Sequence, residues 1–391
     1  MPSSVYLHVP FCTRRCGYCD FNVDVRDRHR ATGEDLFAGY VRSLMLEADL
    51  RMKNPHWKDS GQLNTLYFGG GTPSLLGPEL IAQSIEGLRS RWGIAVDAEV
   101  TIELNPEEGA PTTLTSLREA GVNRLSIGVQ SFNDAELAKL SRTHDANMAE
   151  SAICAAFEAG FHDISIDLMF GIPGQTTDSW SKSLDTTLRL APQHISLYDL
   201  SIERRTRFAS LHRRGLLDLP SEQTQLDFWR HLFERMRQAG YHRYEISNWC
   251  LQGHESRHNL AIWRGGPYLA LGAGAHGYEN FPGSRPRRYW NLRPTDKWMN
   301  RACAAPEEGS EHPNNEQQVL EWLLTSWRLA AGITPQAARA RLGGRDLPEL
   351  LPHTWREWTK RAWVHPGPPW RWTEAGSLLC DLMLTEMCEA I

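Results

Sequence analysis

Val9-Pro10-Phe11-Cys12-Thr13-Arg14-Arg15-Cys16-Gly17-Tyr18-Cys19-Asp20-Phe21 is the stretch that decides how this chain is read. Three cysteines follow one another in the spacing Cys-x3-Cys-x2-Cys. Thiolates are the ligands that iron–sulfur clusters select, and a short loop containing glycine can wrap three of them around one face of a cube. A [4Fe–4S] cluster is normally held by four cysteines, so three on one loop leave one iron open to a small molecule. Cys154, Cys250, Cys303, Cys380 and Cys388 are scattered singly, which denies the paired ligands of a closed structural zinc site. A disulfide framework belongs to short secreted chains, whereas this chain has 391 residues and reads as having no secretory leader.

Upstream of the cysteines, Ser4-Val5-Tyr6-Leu7-His8-Val9 is a β-prone run halted by Pro10, which puts the loop at the carboxyl end of a strand. Downstream, Phe37, Tyr40, Val41, Leu44 and Ala48 recur at helical spacing. The alternation then repeats, with strands predicted over 65–68, 99–104, 124–129, 163–169 and 194–200 and helical patterns between them. Ala120-Gly121-Val122, Ala159-Gly160-Phe161 and Ala239-Gly240-Tyr241 each predict a helix ended by a left-handed glycine and followed at once by a strand. Strands alternating with helices imply an α/β fold with a parallel sheet, whose strands all bring their carboxyl ends to one face. Ser221 is placed to cap a long amphipathic helix carrying Leu226, Trp229, Leu232, Phe233 and Met236, and the main domain is expected to span 1–250. Residues 251–315, with Gly- and Pro-rich stretches and a polar run over 306–315, read as a connecting segment. Residues 316–391 read as a smaller C-terminal domain of Trp-rich helices around a Pro/Gly-tipped hairpin over 363–372, similar to a winged helix.

Composition excludes several classes. With 41% hydrophobic and 23% charged residues the chain is an ordinary soluble globular protein, and its net charge of −5 offers no basic field to nucleic acid. No apolar run reaches the length of a transmembrane helix. Unpaired cysteines beside a cluster motif fit a reducing compartment, so the chain is read as cytoplasmic.

Polar groups stand where the strands end. The turn Gly69-Gly70-Gly71-Thr72-Pro73 lacks the Gly-Lys-Ser/Thr of a phosphate loop and the G-x-G-x-x-G of a dinucleotide fold. Its glycines instead allow close approach of backbone to a ligand such as an amino-carboxylate. Glu103 and Asp167 are costly inside a barrel unless paired, which makes them candidates for ligand hydroxyls or a cation. Arg142 suits a carboxylate, and Gln130 ends the fourth strand.

At Cys12, Cys16 and Cys19, with Tyr18 in the aromatic place before the last, the chain resembles the radical S-adenosylmethionine (radical SAM) superfamily. The resemblance implies a (β/α)6 partial barrel holding a [4Fe–4S] cluster and S-adenosylmethionine, whose amino group would lie at Gly69, Gly70, Gly71 and Thr72. Tyr6, Glu103, Gln130, Arg142 and Asp167 are similar to the S-adenosylmethionine site of the porphyrin branch of this superfamily. So are Tyr6-Leu7-His8-Val9-Pro10-Phe11-Cys12, Gly128-Val129-Gln130-Ser131-Phe132, and Gly272-Ala273-Gly274-Ala275-His276-Gly277. That branch contains the oxygen-independent coproporphyrinogen III oxidase and a heme chaperone. The oxidase has a fourth cysteine where Phe21 stands, and a long segment where eleven residues precede Cys12. The chaperone is associated with a His-Asn-x-x-Tyr-Trp motif implicated in heme binding, which appears here as His258-Asn259-Leu260-Ala261-Ile262-Trp263, with Ile262 in place of Tyr. The resemblance therefore implies a protein that binds heme with help from His258 and delivers it to heme-accepting apoproteins. The alternatives are the oxidase itself, or a cluster-bearing interaction protein that docks through its Trp-rich C-terminal region. Dimerisation and peripheral membrane contact are left open by the residues.

Overall fold

A computed structural model of the chain describes residues 3–26 and 33–391. Six strands follow the predicted alternation: β1 (Ser3–Val9), β2 (Leu63–Gly70), β3 (Ile94–Leu104), β4 (Arg124–Gln130), β5 (Ile164–Phe170) and β6 (His194–Asp199). Between them run α1 (Gly33–Arg51), α2 (Pro78–Trp92), α3 (Pro111–Glu119), α4 (Ala146–Glu158) and α5 (Thr177–Leu190), and α6 (Glu222–Gln238) follows β6. Local chemistry sets these boundaries. The Asp145, Thr176 and Ser221 side chains accept hydrogen bonds from the first-turn amides of α4, α5 and α6. Gly121 and Gly160 adopt φ of +101° and +82° just past α3 and α4, and each leads into the next parallel strand.

Neighbouring strands from β1 to β6 pair in parallel, which makes the (β/α)6 partial barrel. The sheet then extends at both margins. Beyond β6 lie β7 (His242–Arg243) and β8 (Asn248–Cys250), both antiparallel. The third Ala-Gly repeat thus ends its helix as predicted, with Gly240 at φ +81°, but leads into an edge ribbon and not a parallel strand. The repeat specifies where a helix stops; the turn over 244–247 reverses the chain and sets direction. On the other margin β9 (Tyr268–Leu271) pairs in parallel with β1, followed by antiparallel β10 (His276–Glu279), β11 (Arg287–Asn291) and β12 (Glu307–Glu311). The order is β12-β11-β10-β9-β1-β2-β3-β4-β5-β6-β8-β7, open at both ends. Residues 264–294 and 306–315, read as loop and connector, therefore supply sheet. Their glycines permit close strand approach: a Cβ on Gly277 would lie within the ring of Tyr289 across the ladder.

The side chain of Glu47 in α1 fastens this extension. It is fully buried and accepts from Arg51, from Asn291 Nδ2 (2.8 Å), from the Gly272 amide (3.0 Å) and from Trp298 Nε1 (3.1 Å). One carboxylate thereby ties α1 to the end of β9, to β11 and to the helix Thr295–Met299. A second hydrophobic cluster gathers Leu323, Trp327, Ile333, Trp355, Trp358 and Met383 from the C-terminal region. The 363–372 hairpin is reduced to one bridge, Val364 to Trp372, while Ile333 bridges Trp370. Because Trp327, Trp355, Trp358 and Trp372 are buried in this cluster, they are core and not the docking surface that the Trp-rich sequence suggested. Among the described residues, no helix is long and apolar enough to cross a membrane. Replacing Glu47 by Ala leaves Arg51 with Glu307 as its one carboxylate and orphans the Gly272 amide and the Trp298 indole, and is predicted to cost about 3 kcal/mol in urea unfolding, with Glu47→Gln milder. A Glu47→Ala protein as stable as the parent would show that the carboxylate does not hold the extension.

Candidate functional site

The carboxyl ends of the parallel strands open into a cavity of about 470 Å³. Cys12, Cys16 and Cys19 line it on one side, with Gly70, Gly71, Thr72, Glu103, Gln130, Arg142 and Asp167 around the rest. The cysteine loop leaves β1 and is pinned from several directions. Thr72 N donates to the Phe11 carbonyl (2.7 Å), Asn22 Nδ2 to the Ala273 carbonyl (2.9 Å), and Phe208 N to the Gly17 carbonyl (3.0 Å). Tyr18 packs on the cluster of Leu140, Met169, Ile172 and Phe208. Gly70 and Gly71 are required by close approach. Gly70 sits at φ +116°, and a Cβ on Gly71 would lie 2.6 Å from the Phe11 carbonyl oxygen.

A chain of polar contacts joins two of the thiols to the strand ends. Thr72 Oγ1 is 3.7 Å from Cys12 Sγ and accepts from Asn105 Nδ2 (3.0 Å); Asn105 Oδ1 accepts from Arg142 Nη2 (2.6 Å). Arg142 Nη2 also reaches the Gly128 carbonyl (2.7 Å), and its Nη1 lies 3.8 Å from Cys16 Sγ. Arg142 is thus engaged with backbone, amide and sulfur, while its Nε has no partner. Burial pushes the Cys12 thiol up to about 11 and raises that of Cys19. Thiols so placed give up their protons when a metal replaces them.

Opposite the thiols, Glu103 accepts from the Tyr67 hydroxyl (2.9 Å) and the Gly70 amide (3.0 Å), and burial pushes its carboxyl up to about 7. Asp167 accepts from Ser126 (3.0 Å) and Ser165 (3.3 Å), and burial raises it as well. Gln130 ends β4 in the left-handed region at φ +69°, a conformation that costs a non-glycine residue about 1–3 kcal/mol and here turns its side chain to the cavity. Phe21, with 64% of its surface exposed, also lines the cavity, as do Arg14, Arg15 and Tyr198.

The remaining candidates lie beneath this cavity. Tyr6 bonds His8 Nδ1 (3.1 Å), and a Cβ on Gly69 would press against the rings of Tyr6 and Tyr67 at 2.9 Å. His258 is on α7 (Arg257–Trp263), deeper still. It bonds Thr65 Oγ1 through Nδ1 (2.8 Å), stacks on Tyr67 with centroids 5.0 Å apart, and is 2% exposed. Burial pushes its imidazole down to about 3, and Nε2 has no hydrogen-bond partner. Glu99 anchors the start of α7 through the Arg257 and His258 amides, and the ring is enclosed by protein.

The radical SAM superfamily model matches residues 6–187. The heme chaperone HemW of Synechocystis is 37% identical over 85% of this chain and 80% of its own length. The chain belongs to the HemW branch of the radical SAM superfamily. The HemW of Bacillus subtilis is 33% identical over 93% of this chain and 92% of its own. The solved coproporphyrinogen III oxidase HemN of Escherichia coli, described as a radical SAM enzyme, shares the fold at a TM-score of 0.80 and 22% identity, covering 100% of this chain and 89% of that one.

Several functional positions in this radical SAM barrel escaped the sequence reading. Asn105 bridges Thr72 and Arg142, Tyr67 holds Glu103, and Ser126 and Ser165 hold Asp167. A signal for the serines exists: each interrupts an aliphatic strand, in Leu125-Ser126-Ile127 and Ile164-Ser165-Ile166. Glu103 gives a pH test. Its carboxyl is raised on folding, so the native state favours the protonated form; stability is complete below the ordinary carboxylate range and declines as pH rises through about 7. Glu103→Gln should abolish that decline, roughly 2–3 kcal/mol in denaturant titrations between acid and mildly alkaline pH. Parallel pH profiles for the two proteins would refute it.

Proposed function

We propose that this chain is a heme chaperone, binding heme and passing it to heme-accepting apoproteins in the cytoplasm, on a scaffold that also carries a [4Fe–4S] cluster and S-adenosylmethionine. The observation that carries the reading is the extent of likeness to proteins named heme chaperone, which spans nearly the whole chain. Cys12, Cys16 and Cys19 fit a cluster because all three face one cavity, with the Arg142 guanidinium against Cys16 to balance thiolate charge. Bound there, the cluster would offer an open iron and an electron to S-adenosylmethionine. Thr72, Gly70 and Gly71 border the space beside it; Glu103, Gln130 and Asp167 supply acceptors for amino, hydroxyl and sulfonium groups.

Heme is assigned to the mouth of the same cavity. A flat tetrapyrrole offers apolar faces and two propionates. Phe21 supplies an exposed aromatic plane where the oxidase has a cysteine, and Arg14 and Arg15 stand beside it for the carboxylates. His258 then acts through the barrel base and not at the iron. The alternative, the oxidase, would produce vinyl groups from coproporphyrinogen propionates; the two share the fold, so product analysis and not architecture separates them.

Two outcomes follow. Anaerobic reconstitution should give about four iron and four sulfide per parent chain and a marked loss in Cys12→Ala, since two thiolates are too few to hold the cube; a full cluster in the variant would remove Cys12 from the ligand set. Heme titration should show a complex that Phe21→Ala weakens by tenfold or more and His258→Ala leaves within twofold, while incubation with coproporphyrinogen III, reductant and S-adenosylmethionine yields no vinyl product. Multiple turnovers to vinyl product would overturn the chaperone reading.

A further inference from the structure

Outside the cavity, one group of side chains has the composition of a metal site. His242 on β7 and Cys250 on β8 are directly opposed across the antiparallel ribbon, so their side chains share a face. The chain then turns over Leu251-Gln252-Gly253-His254, with His254 N donating to the Leu251 carbonyl (3.1 Å) and Gly253 at φ +88°, and brings Glu255 back over the same face. His242 Nε2 is 2.8 Å from Glu255 Oε1 and 3.5 Å from Cys250 Sγ, and the three ligand atoms lie within 4.8 Å of one another.

Hydrogen bonding alone does not account for this arrangement. A single nitrogen, Nε2, faces both a carboxylate oxygen and a sulfur, and it carries at most one proton to share between them. A cation at their centre satisfies all three. Zinc bound to sulfur at about 2.3 Å and to nitrogen and oxygen at about 2.0–2.2 Å sets tetrahedral edges of roughly 3.4–3.6 Å. The sulfur–nitrogen separation already has that length; the His242–Glu255 contact opens by a small side-chain rotation. Thiolate, imidazole and carboxylate together favour zinc over calcium or magnesium. Cys250 is buried, while the side chains of His242 and Glu255 remain 38% and 25% exposed, which gives the ion a path in and a fourth position open to water.

We propose that His242, Cys250 and Glu255 bind one zinc ion, distinct from the cysteine-loop site. The ion would clasp the edge ribbon to the loop that opens α7: Glu255 precedes Ser256, whose hydroxyl accepts from the Asn259 amide at the start of that helix. The same ribbon meets the C-terminal region, where Arg243 Nη1 donates to Ser377 Oγ (2.6 Å) and Ala330 N to the Tyr244 carbonyl (3.0 Å). The zinc therefore sits at the joint between barrel and C-terminal cluster.

The test uses the full chain with Cys12, Cys16 and Cys19 changed to Ala, so that the cysteine loop takes no zinc. Zinc chloride and cobalt chloride are the probes. One equivalent of zinc should survive gel filtration and raise the thermal midpoint. Cobalt should give thiolate-to-metal charge-transfer absorption with tetrahedral visible bands. Cys250→Ser should remove the charge-transfer band, and Glu255→Gln, which keeps a hydrogen-bonding group beside His242, should weaken zinc by at least tenfold. The cluster-loaded parent serves as a second background should the triple variant fold poorly. Absence of retained zinc in both backgrounds, or a cobalt spectrum unchanged by Cys250→Ser, would overturn the assignment. Heme binding and the cysteine-loop cluster can stand or fall independently of this result.

Discussion

Removing water from a carboxylate is costly, and Glu103 and Asp167 stand half-buried on the cavity wall with no ion-pair partner among the described residues. Neutral donors hold them: a tyrosine hydroxyl and a backbone amide for Glu103, serine hydroxyls for Asp167. These donors favour the ionised forms, but burial outweighs them and raises both carboxyls above the ordinary range. The protein's own cation, Arg142, is spent on the sulfur side of the cavity. The cavity is thus polarised, with guanidinium and thiols on one wall and proton-hungry acids on the other. A ligand that carries a positive centre between donor and acceptor groups complements both walls.

Glu47 solves the same difficulty differently. Its buried carboxylate meets a buried guanidinium, an amide side chain, an indole and a backbone amide, so charge and every lone pair are answered within the protein. It serves architecture, and it leaves nothing for a ligand to add. Glu47 is fully buried with its partners inside the protein, whereas Glu103 is half-buried and faces the cavity with neutral donors alone.

The parts legible in the sequence are those encoded locally. A cysteine spacing, an Ala-Gly helix stop and an aliphatic strand each carry their meaning within a dozen residues, and all six barrel strands followed from them. The strands β9 to β12 did not, because they are short, stand among Gly- and Pro-rich turns, and become sheet only once β9 pairs with the distant β1 and the rest pair in succession. The surroundings of His258 were hidden for a related reason. Thr65 and Tyr67, remote in sequence, enclose the ring. Trp327 and Trp358 read as a sticky surface and proved to be the interior of a second core. Asn105 went unremarked because a residue between a strand and Pro106 is the ordinary setting for a turn; only the positions of Thr72 and Arg142 give it a task.

The parallel pairing of β1 with β9 has a consequence for biosynthesis. The cysteine loop emerges from the ribosome long before the contacts that settle it: Asn22 reaches the Ala273 carbonyl, 251 residues further on, and Tyr40 joins the His8 carbonyl to the Ala273 amide. Until that distant segment has been translated and has closed against β1, the loop lacks one of its walls, and loop closure over so long a stretch is slow. Three reactive thiols are therefore presented on an unfinished chain for much of its synthesis. A cluster held by these thiols would then be loaded on the completed fold, with the thiols of nascent chains open to oxidation and stray metals until it closes.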